Sequence, residues 1–503
     1  MKKDQIKAGV TLSLLSLLLN TLVSLLYTPF LLYKMGQSEF GLYSLAASVV
    51  GYLTILDFGL GHAVVRFTAI YRTLDDKENE YNLNGIFFIV YTCIGIIAAV
   101  AGIILYLNAE YMFSEKMTAI EVERIKILFL LMTFNLAVSF PLGIFNSIVV
   151  AYEEFVFSKV VSIIKVIISP CIMIPLLIFG YRAIGMVVVA TVLNIWLLTI
   201  NMWYCLTKLK VKVHFGKFDL GLLSEISVFS FYGFLNLIVD RMTWHAGQLI
   251  LGVVSGTVAV AVYSVAIQLN NYYLEFSTAI SWVLLPRLTA MFAKGATDQD
   301  FSEMFIKVGR IQYILIGYIL GGFLLVGQSF INLWAGPGYE RAFLIACFIM
   351  IPVTFPLIQN TGIGILQAQN KQRFRSVLFV FIALMNILVS IPLGKRFGGL
   401  GCASGIALAL ILSTVIMNVY YYKKINLNIP RFWKEITIMT IPITIAFCSS
   451  FILGKFIGNV GIFAILAKAI TYTVVYLPSM WILGMNHYEK NLFYHPLKKM
   501  IKK

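Results

Sequence analysis

Stretches of roughly twenty apolar residues recur along almost the whole of this 503-residue chain. A helix of that length, rising about 1.5 Å per residue, crosses the roughly 30 Å hydrocarbon layer of a bilayer. Fourteen such runs can be read: 8–33, 40–62, 84–107, 127–150, 160–180, 184–206, 226–252, 257–286, 311–333, 342–366, 377–394, 401–422, 435–454 and 461–484. They are too long for the strands of a membrane β-barrel, which are about 10 residues of alternating polarity. The chain is 60% hydrophobic and 12% charged, whereas a soluble domain is roughly a quarter charged. An all-α integral membrane protein of about fourteen transmembrane helices is expected. The first run is too long for a signal peptide and lacks a small-residue cleavage site, so it reads as a retained helix.

The chain also repeats itself. Gly41-Leu42-Tyr43-Ser44 returns as Ala261-Val262-Tyr263-Ser264, and Phe140-Pro141-Leu142 returns as Phe355-Pro356-Leu357. Phe179-Gly180-Tyr181-Arg182-Ala183-Ile184-Gly185 returns, shortened, as Phe397-Gly398-Gly399-Leu400-Gly401. Three matches in one order at nearly one offset point to a duplication. Each copy holds six runs, an even number, so the halves share an orientation and are related by a pseudo-twofold axis along the membrane normal. The expected organisation is an N-terminal six-helix lobe over 1–210 and a C-terminal one over 211–424. Residues 425–503 would add two helices and a basic cytoplasmic tail. Duplicated halves of this kind place a substrate site at their interface in many transporters.

The formal charge is +16, and its distribution separates nucleic-acid binding from membrane topology. Of the 39 Lys and Arg, 27 fall in one set of alternate loops and the termini, 9 in the other set and 3 inside runs. That bias follows the positive-inside rule and puts both termini in the cytoplasm. The six cysteines are scattered singly and form neither a metal spacing nor a disulfide pattern, and the five histidines form no cluster. No glycine loop ending in Gly-Lys-Ser or Gly-Lys-Thr is present, so any transport must draw on an ion, voltage or substrate gradient. No cofactor or metal is expected.

An ionisable side chain inside an apolar run costs about 2.5–3.5 kcal/mol on insertion scales and marks a cavity or a partner. The seventh run carries Asn236, Asp240, Arg241, Trp244, His245 and Gln248. Arg241, His245 and Gln248 share one helical face. Gln268, Asn271 and Glu275 form a second stripe on the eighth run. Such stripes line a hydrated cavity, or they hold helices together through an Asp240–Arg241 or Arg241–Glu275 pair. Arg66 and Arg287 occupy almost equivalent places in the two halves and suit capture of a phosphate-bearing lipid, since guanidinium binds phosphate bidentately; snorkelling is the alternative for Arg66. Lys165, shallow enough in its run to snorkel instead, and Lys468 are candidate substrate or ion contacts. Asp57, Asp240 and Glu275 are candidate ion carriers, with Glu275 preferred. Trp244, Tyr272 and Tyr273 could present ring faces to sugars.

Tyr43-Ser44 leading to Asp57-Phe58-Gly59-Leu60 and then Arg66, the Leu333-Trp334-Ala335-Gly336 turn, and the Phe179-Gly180 and Phe397-Gly398-Gly399-Leu400-Gly401 turns resemble the Wzx-type O-antigen and polysaccharide-unit flippases over about 10–420. The resemblance implies the fold of the multidrug/oligosaccharidyl-lipid/polysaccharide exporters, two six-helix lobes around a V-shaped central cavity, working by alternating access. It implies an undecaprenyl-diphosphate-linked oligosaccharide as cargo, moved from the cytoplasmic to the outer leaflet of the bacterial inner membrane. Membrane lipids, a polysaccharide polymerase and a chain-length regulator are the further partners it implies; nucleic acid is not one. Arg66, Lys165, Arg241, His245, Gln248, Gln268, Asn271 and Arg287 would then form the diphosphate and sugar site. Lipid II flippases fit less well, because 8–33 holds no arginine, and multidrug exporters fit less well, because it holds no acid. A membrane glycan polymerase lacks its large external loop here.

The loop charges make a direct prediction. Cysteines placed at Lys212 and Lys499 should resist a membrane-impermeant thiol reagent in intact cells, and ready labelling of either contradicts the orientation.

Overall fold

A bilayer leaves a backbone N–H or C=O without water, so each must be bonded inside the protein. The computed structural model, which describes residues 3–216, 220–457, 461–492 and 494, meets this demand with helices, and no strand occurs among the described residues. In order these are α1 (Lys3–Leu53), a 3-10 turn (Thr54–Asp57), α2 (Leu60–Thr73), α3 (Lys77–Phe113), α4 (Ala119–Ala151), α5 (Phe155–Ile178), α6 (Ala183–Thr207), α7 (Leu220–Trp244) and α8 (Ala246–Val254). Then come α9 (Thr257–Ala293), α10 (Asp298–Trp334), α11 (Arg341–Ile358), α12 (Asn360–Ala368), α13 (Arg373–Phe397), α14 (Gly399–Lys424), α15 (Ile429–Ile457) and α16 (Ile462–Ser479). Among the described residues, eleven helical stretches are long and apolar enough to cross a membrane. One of them, Leu15–Thr73, is 59 residues long, far more than one crossing needs. It is interrupted at Gly36, where φ is 76° and ψ 170°, and again at Phe58–Gly59.

Helices reach beyond the apolar runs. The ninth run starts near residue 311, but α10 starts at Asp298, capped by Thr297, whose hydroxyl accepts from the Asp300 N–H. The run at 226–252 is two helices broken at Trp244–His245, and the run at 342–366 is two helices broken at Gln359.

The duplication is written in the backbone. Five pairs of residues with positive φ lie 216 to 220 positions apart: Gly36 and Gly256, Asp75 and Gly295, Glu153 and Asn370, Gly180 and Gly398, Lys210 and Asn426. They end helices in matching ways. After Asp75, Asp76 N–H donates to Tyr71 C=O, and after Gly295, Ala296 N–H donates to Met291 C=O. After Glu153, Glu154 N–H donates to Val149 C=O, and after Asn370, Lys371 N–H donates to Leu366 C=O. This left-handed cap satisfies carbonyls a helix would otherwise orphan. The break at Phe58–Gly59 has no mate, since α9 runs unbroken through the equivalent region. The halves therefore differ beside Asp57.

The chain divides into two compact units, Met1–Ser264 with Gly394–Gly399, and Val265–Leu393 with Leu400–Lys503. In the first, Val64, Phe67, Leu83, Phe87, Tyr91, Ile144 and Ile148 pack a core shared by α2, α3 and α4. The α3–α4 approach is close enough that a Cβ at Gly102 would meet Thr133 Cγ2 at 2.2 Å, the small-residue packing usual between membrane helices. In the second, one core joins Phe305, Ile358, Leu366, Tyr421 and Phe432, and another joins Ile314 and Met439 to Tyr472, Tyr476 and Met480.

A charged network fastens α15 and the chain after α16 to α10. The Arg310 guanidinium grips Glu489 bidentately (Nε to Oε1 2.6 Å, Nη2 to Oε2 2.8 Å), donates to Glu435 Oε2 at 3.2 Å and caps the Gly484 carbonyl at 2.8 Å. Glu435 also accepts from Arg431 Nε at 3.0 Å, and Arg431 pairs with Glu303. Loop charge was the expected role of Arg310; it is instead 6% exposed, and Glu489 is fully buried. Removing one partner of a buried pair leaves an uncompensated charge worth about 3–5 kcal/mol. Glu489→Ala should therefore lower the melting temperature of the purified protein clearly. Joint replacement by Arg310→Met and Glu489→Met should recover most of the loss; an unchanged melting temperature for Glu489→Ala contradicts the latch.

Candidate functional site

In the first unit, Arg241 sits in the last turn of α7, three residues before that helix breaks. Its Nε donates to Thr54 Oγ1 at 3.0 Å, and its Nη1 lies 2.8 Å from His245 Nε2. Guanidinium has no acceptor, so Nε2 must be the acceptor and cannot carry a proton. His245 is thereby fixed as a neutral support for Arg241. The His245 carbonyl accepts from Ser48 at 2.9 Å, and its ring meets Tyr52 edge-on. The break in the chain at Trp244–His245 and the 3-10 turn beginning at Thr54 together bring these groups within reach. Both hydrogen-bond partners of Arg241 are neutral.

Thr54 also belongs to the wall of a cavity of about 420 Å³ enclosed by α1, α4, α5 and α6. Lys165 faces it from α5, with Asn135 and Ser139 from α4, Asn194 from α6 and Tyr43 from α1. Lys165 Nζ lies 3.4 Å from Asn194 Oδ1. Asn194 Nδ2 in turn donates to Asn135 Oδ1 at 2.9 Å and Ser139 Oγ at 2.7 Å. Among the described residues, no carboxylate lines the cavity. A cation surrounded by amides and hydroxyls can meet a phosphate or a sugar hydroxyl. Among the described residues, no group of His, Cys, Asp and Glu could hold a metal ion.

The other expected residues are placed as follows. Gln248 is buried and donates to Ser264 Oγ at 3.0 Å. Asp57 ends the 3-10 turn and accepts from Tyr91 Oη at 2.8 Å. Asp240 is exposed. Arg66 is exposed on α2, its guanidinium 5.7 Å from the centre of the Phe67 ring. In the second unit, Gln268 donates to Tyr272 Oη at 2.7 Å, Asn271 is exposed and Glu275 is half-buried. The Arg287 side chain lies outside the described residues. Tyr273 does not offer its ring to a sugar: it is buried, its hydroxyl 2.8 Å from Thr354 Oγ1 and donating to the Ile316 carbonyl.

Sequence reasoning missed Asn135, Ser139 and Asn194, neutral residues on three separate runs. It also missed Glu39, which is buried, pairs with Arg124 and accepts from the Ala183 N–H that opens α6. The Thr118-x-x-Glu121 capping box beside it was readable; Glu121 also accepts from Ser38 at 2.5 Å and Thr257 at 2.8 Å.

The family described as "Polysaccharide biosynthesis protein" matches residues 6–292, more than half of the chain and all of the cavity just described. This chain belongs to that family. It is 24% identical over 418 residues, 80% of its length, to 94% of a Shigella flexneri protein named "Putative O-antigen transporter". It is 20% identical over 429 residues to "Uncharacterized membrane protein EpsK" of Bacillus subtilis (strain 168), with 82% of each chain covered. Among solved structures, "Lipid II flippase MurJ, inward closed conformation" superimposes with a TM-score of 0.73 at 15% identity, covering 97% of this chain and 99% of the other. An inward-facing multidrug-resistance MATE transporter gives 0.65 at 14% identity, covering 81% and 94%. At such identities these structures show the fold alone, which is that of two-lobed membrane transporters. The Shigella flexneri relative and both solved structures carry names of transporters or flippases.

Because a hydrogen bond to a charged group contributes about 1.5–3 kcal/mol, Thr54→Val should reduce glycan-unit transport by about tenfold or more at unchanged protein abundance. Thr54→Ser, which keeps the acceptor, should stay near wild type. Equal activity of the two variants would show that Thr54 does not position Arg241.

Proposed function

We propose that this protein flips an undecaprenyl-diphosphate-linked oligosaccharide from the cytoplasmic to the outer leaflet of the bacterial inner membrane, by alternating access coupled to an ion gradient. The observation that carries the reading is the state of Arg241: a permanent cation within apolar helices, whose hydrogen bonds go to the neutral Thr54 and His245 while the adjacent Asp240 acts on it through charge. A structural arginine at such depth would ordinarily be hydrogen-bonded to a carboxylate, as Arg310 is. Arg241 bonds instead to neutral groups, beside a cavity that presents Lys165 and amides. A diphosphate would bring more negative charge than Asp240 and could take the guanidinium bidentately, and Asn135, Ser139 and Asn194 suit the hydroxyls next to it. The apolar tail can stay in lipid. Family membership and the likeness to a Shigella flexneri "Putative O-antigen transporter" support the same cargo class.

The accompanying arrangement is fourteen spans with both termini cytoplasmic, six-helix lobes over 1–210 and 211–424, and two helices with a basic tail over 425–503. Arg66, Gln248, Gln268, Asn271 and Arg287 would complete the substrate route, with Asp57, Asp240 and Glu275 as ion carriers. A polysaccharide polymerase and a chain-length regulator would receive the product.

Cells lacking the protein should accumulate single lipid-linked units on the cytoplasmic leaflet. Normal surface glycan with new drug sensitivity contradicts the proposal in favour of a small-molecule exporter. Arg241→Ala should abolish surface glycan at normal abundance, and Arg241→Lys should restore it only in part, because an ammonium lacks the bidentate fork. For coupling, Glu275→Gln should insert normally but lose its response to an imposed pH gradient in vesicles; a retained response removes Glu275 from that role.

A further inference from the structure

The three helices latched together at Arg310 converge again at their opposite ends, around a cavity of about 780 Å³. It is lined by Gln328, Ser329 and Asn332 at the end of α10, by Lys455 at the end of α15 and by Lys468 from the second turn of α16. Two of its described lining residues are cations and none of them is an acid. Lys468 is only 8% exposed, and its stem lies over Gly454, where an added Cβ would meet Lys468 Cε at 3.3 Å. Glu340 turns its Oε1 to the Gly338 N–H at 2.9 Å, and its carbonyl accepts from Gln328 at 3.3 Å. The Arg310 network belongs to the other end of these helices, so the cavity has no part in it.

The rim is apolar. Phe456 is 86% exposed and Phe463 84%, next to exposed Leu453, Ile462 and Ile470 on the same two helices. A polar, doubly cationic chamber bordered by exposed hydrocarbon at one end of a membrane helix pair matches an anionic lipid better than a water-borne anion. The volume exceeds what a bare phosphate fills, while Gln328, Ser329 and Asn332 add partners for hydroxyls. Basic pockets between membrane helices recognise lipid head groups through this combination of charge and hydrogen bonding. We propose that this cavity binds the phosphoglycerol head group of an acidic phospholipid, with Lys455 and Lys468 on the phosphate and the acyl chains along the Phe456–Phe463 rim. On the orientation inferred from the loop charges, that lipid is in the outer leaflet. The proposal is independent of the cargo assigned above.

The test uses the full-length purified protein, titrated with phosphatidylglycerol or phosphatidylcholine and read by native mass spectrometry as bound lipid. Phosphatidylglycerol should be retained in preference to phosphatidylcholine. Lys455→Gln, and separately Lys468→Met, which preserves the stem over Gly454, should each weaken phosphatidylglycerol retention by about tenfold, the loss expected for one charge-assisted hydrogen bond. Phosphatidylcholine retention should not change. Should Lys468→Met fail to fold, the exposed Lys455→Gln and the lining Gln328→Leu carry the comparison. Equal retention of the two lipids, or undiminished phosphatidylglycerol binding by Lys455→Gln, overturns the proposal. Displacement by millimolar inorganic phosphate overturns it in favour of a free-anion site. Stoichiometric displacement by a polyprenyl diphosphate overturns it in favour of a cargo subsite. Neither displacement result bears on the Arg241 variants, so this test and that of the flippase reading fail separately.

Discussion

Everything in this structure answers to the demand that backbone hydrogen-bonding groups in hydrocarbon be satisfied from within the chain. Helices meet it along their length and left-handed caps meet it at their ends. The caps recur: Glu153 and Asn370, Gly180 and Gly398, Asp75 and Gly295 close equivalent helices in the two halves. Sequence identity between the halves has decayed to a few motifs, yet the turns persist. A misplaced cap would strand carbonyls in lipid, whereas most apolar side chains can exchange for one another at little cost.

Against this background, polar side chains inside the helices fall into two kinds. Arg310 is fully compensated, by Glu489, Glu435 and the Gly484 carbonyl, and it fixes architecture. Arg241 and Lys165 give their hydrogen bonds to neutral groups, and the carboxylate beside Arg241, Asp240, interacts with it through charge. The contrast lies within one chain, so it does not depend on what an average membrane arginine does. It separates the machinery of folding from that of recognition. The helix breaks sharpen the point: the interruptions at Phe58–Gly59 and Trp244–His245, which have no counterparts in the other half, flank Thr54 and Arg241. Irregular backbone at membrane depth is tolerated where it lines a cavity.

Much of this was legible in the sequence. Apolar runs located the helices, and the repeated motifs announced the duplication, because hydrophobicity and turn residues are local signals. Of the stripe Arg241–His245–Gln248, only Arg241 lies in α7; the break at Trp244–His245 puts Gln248 in α8, while Arg241 and His245 still meet across it. The rest was hidden because it depends on pairing between distant segments. Thr54 is a neutral residue 187 positions from Arg241, and nothing local marks it as a partner. The Lys165–Asn194–Asn135 relay needs α4, α5 and α6 to be placed first. Arg310 was misread as loop charge because α10 begins thirteen residues before its apolar run, and hydropathy does not register those amphipathic first turns. Tyr273 was one of the aromatic residues expected to face sugars, but its hydroxyl finds Thr354 in the core.

The central claim is that Arg241, whose hydrogen bonds go to neutral groups, serves a diphosphate. The most direct measurement is translocation by purified protein in sealed vesicles, with a labelled polyprenyl-diphosphate oligosaccharide in one leaflet and a lectin or glycosidase reporting its arrival in the other. The account predicts protein-dependent movement of this lipid, suppressed by the same oligosaccharide linked to a polyprenyl diphosphate but not by one linked to an uncharged polyprenol. Equal transport of the charged and uncharged forms, or none of either by folded protein under an imposed ion gradient, would contradict it.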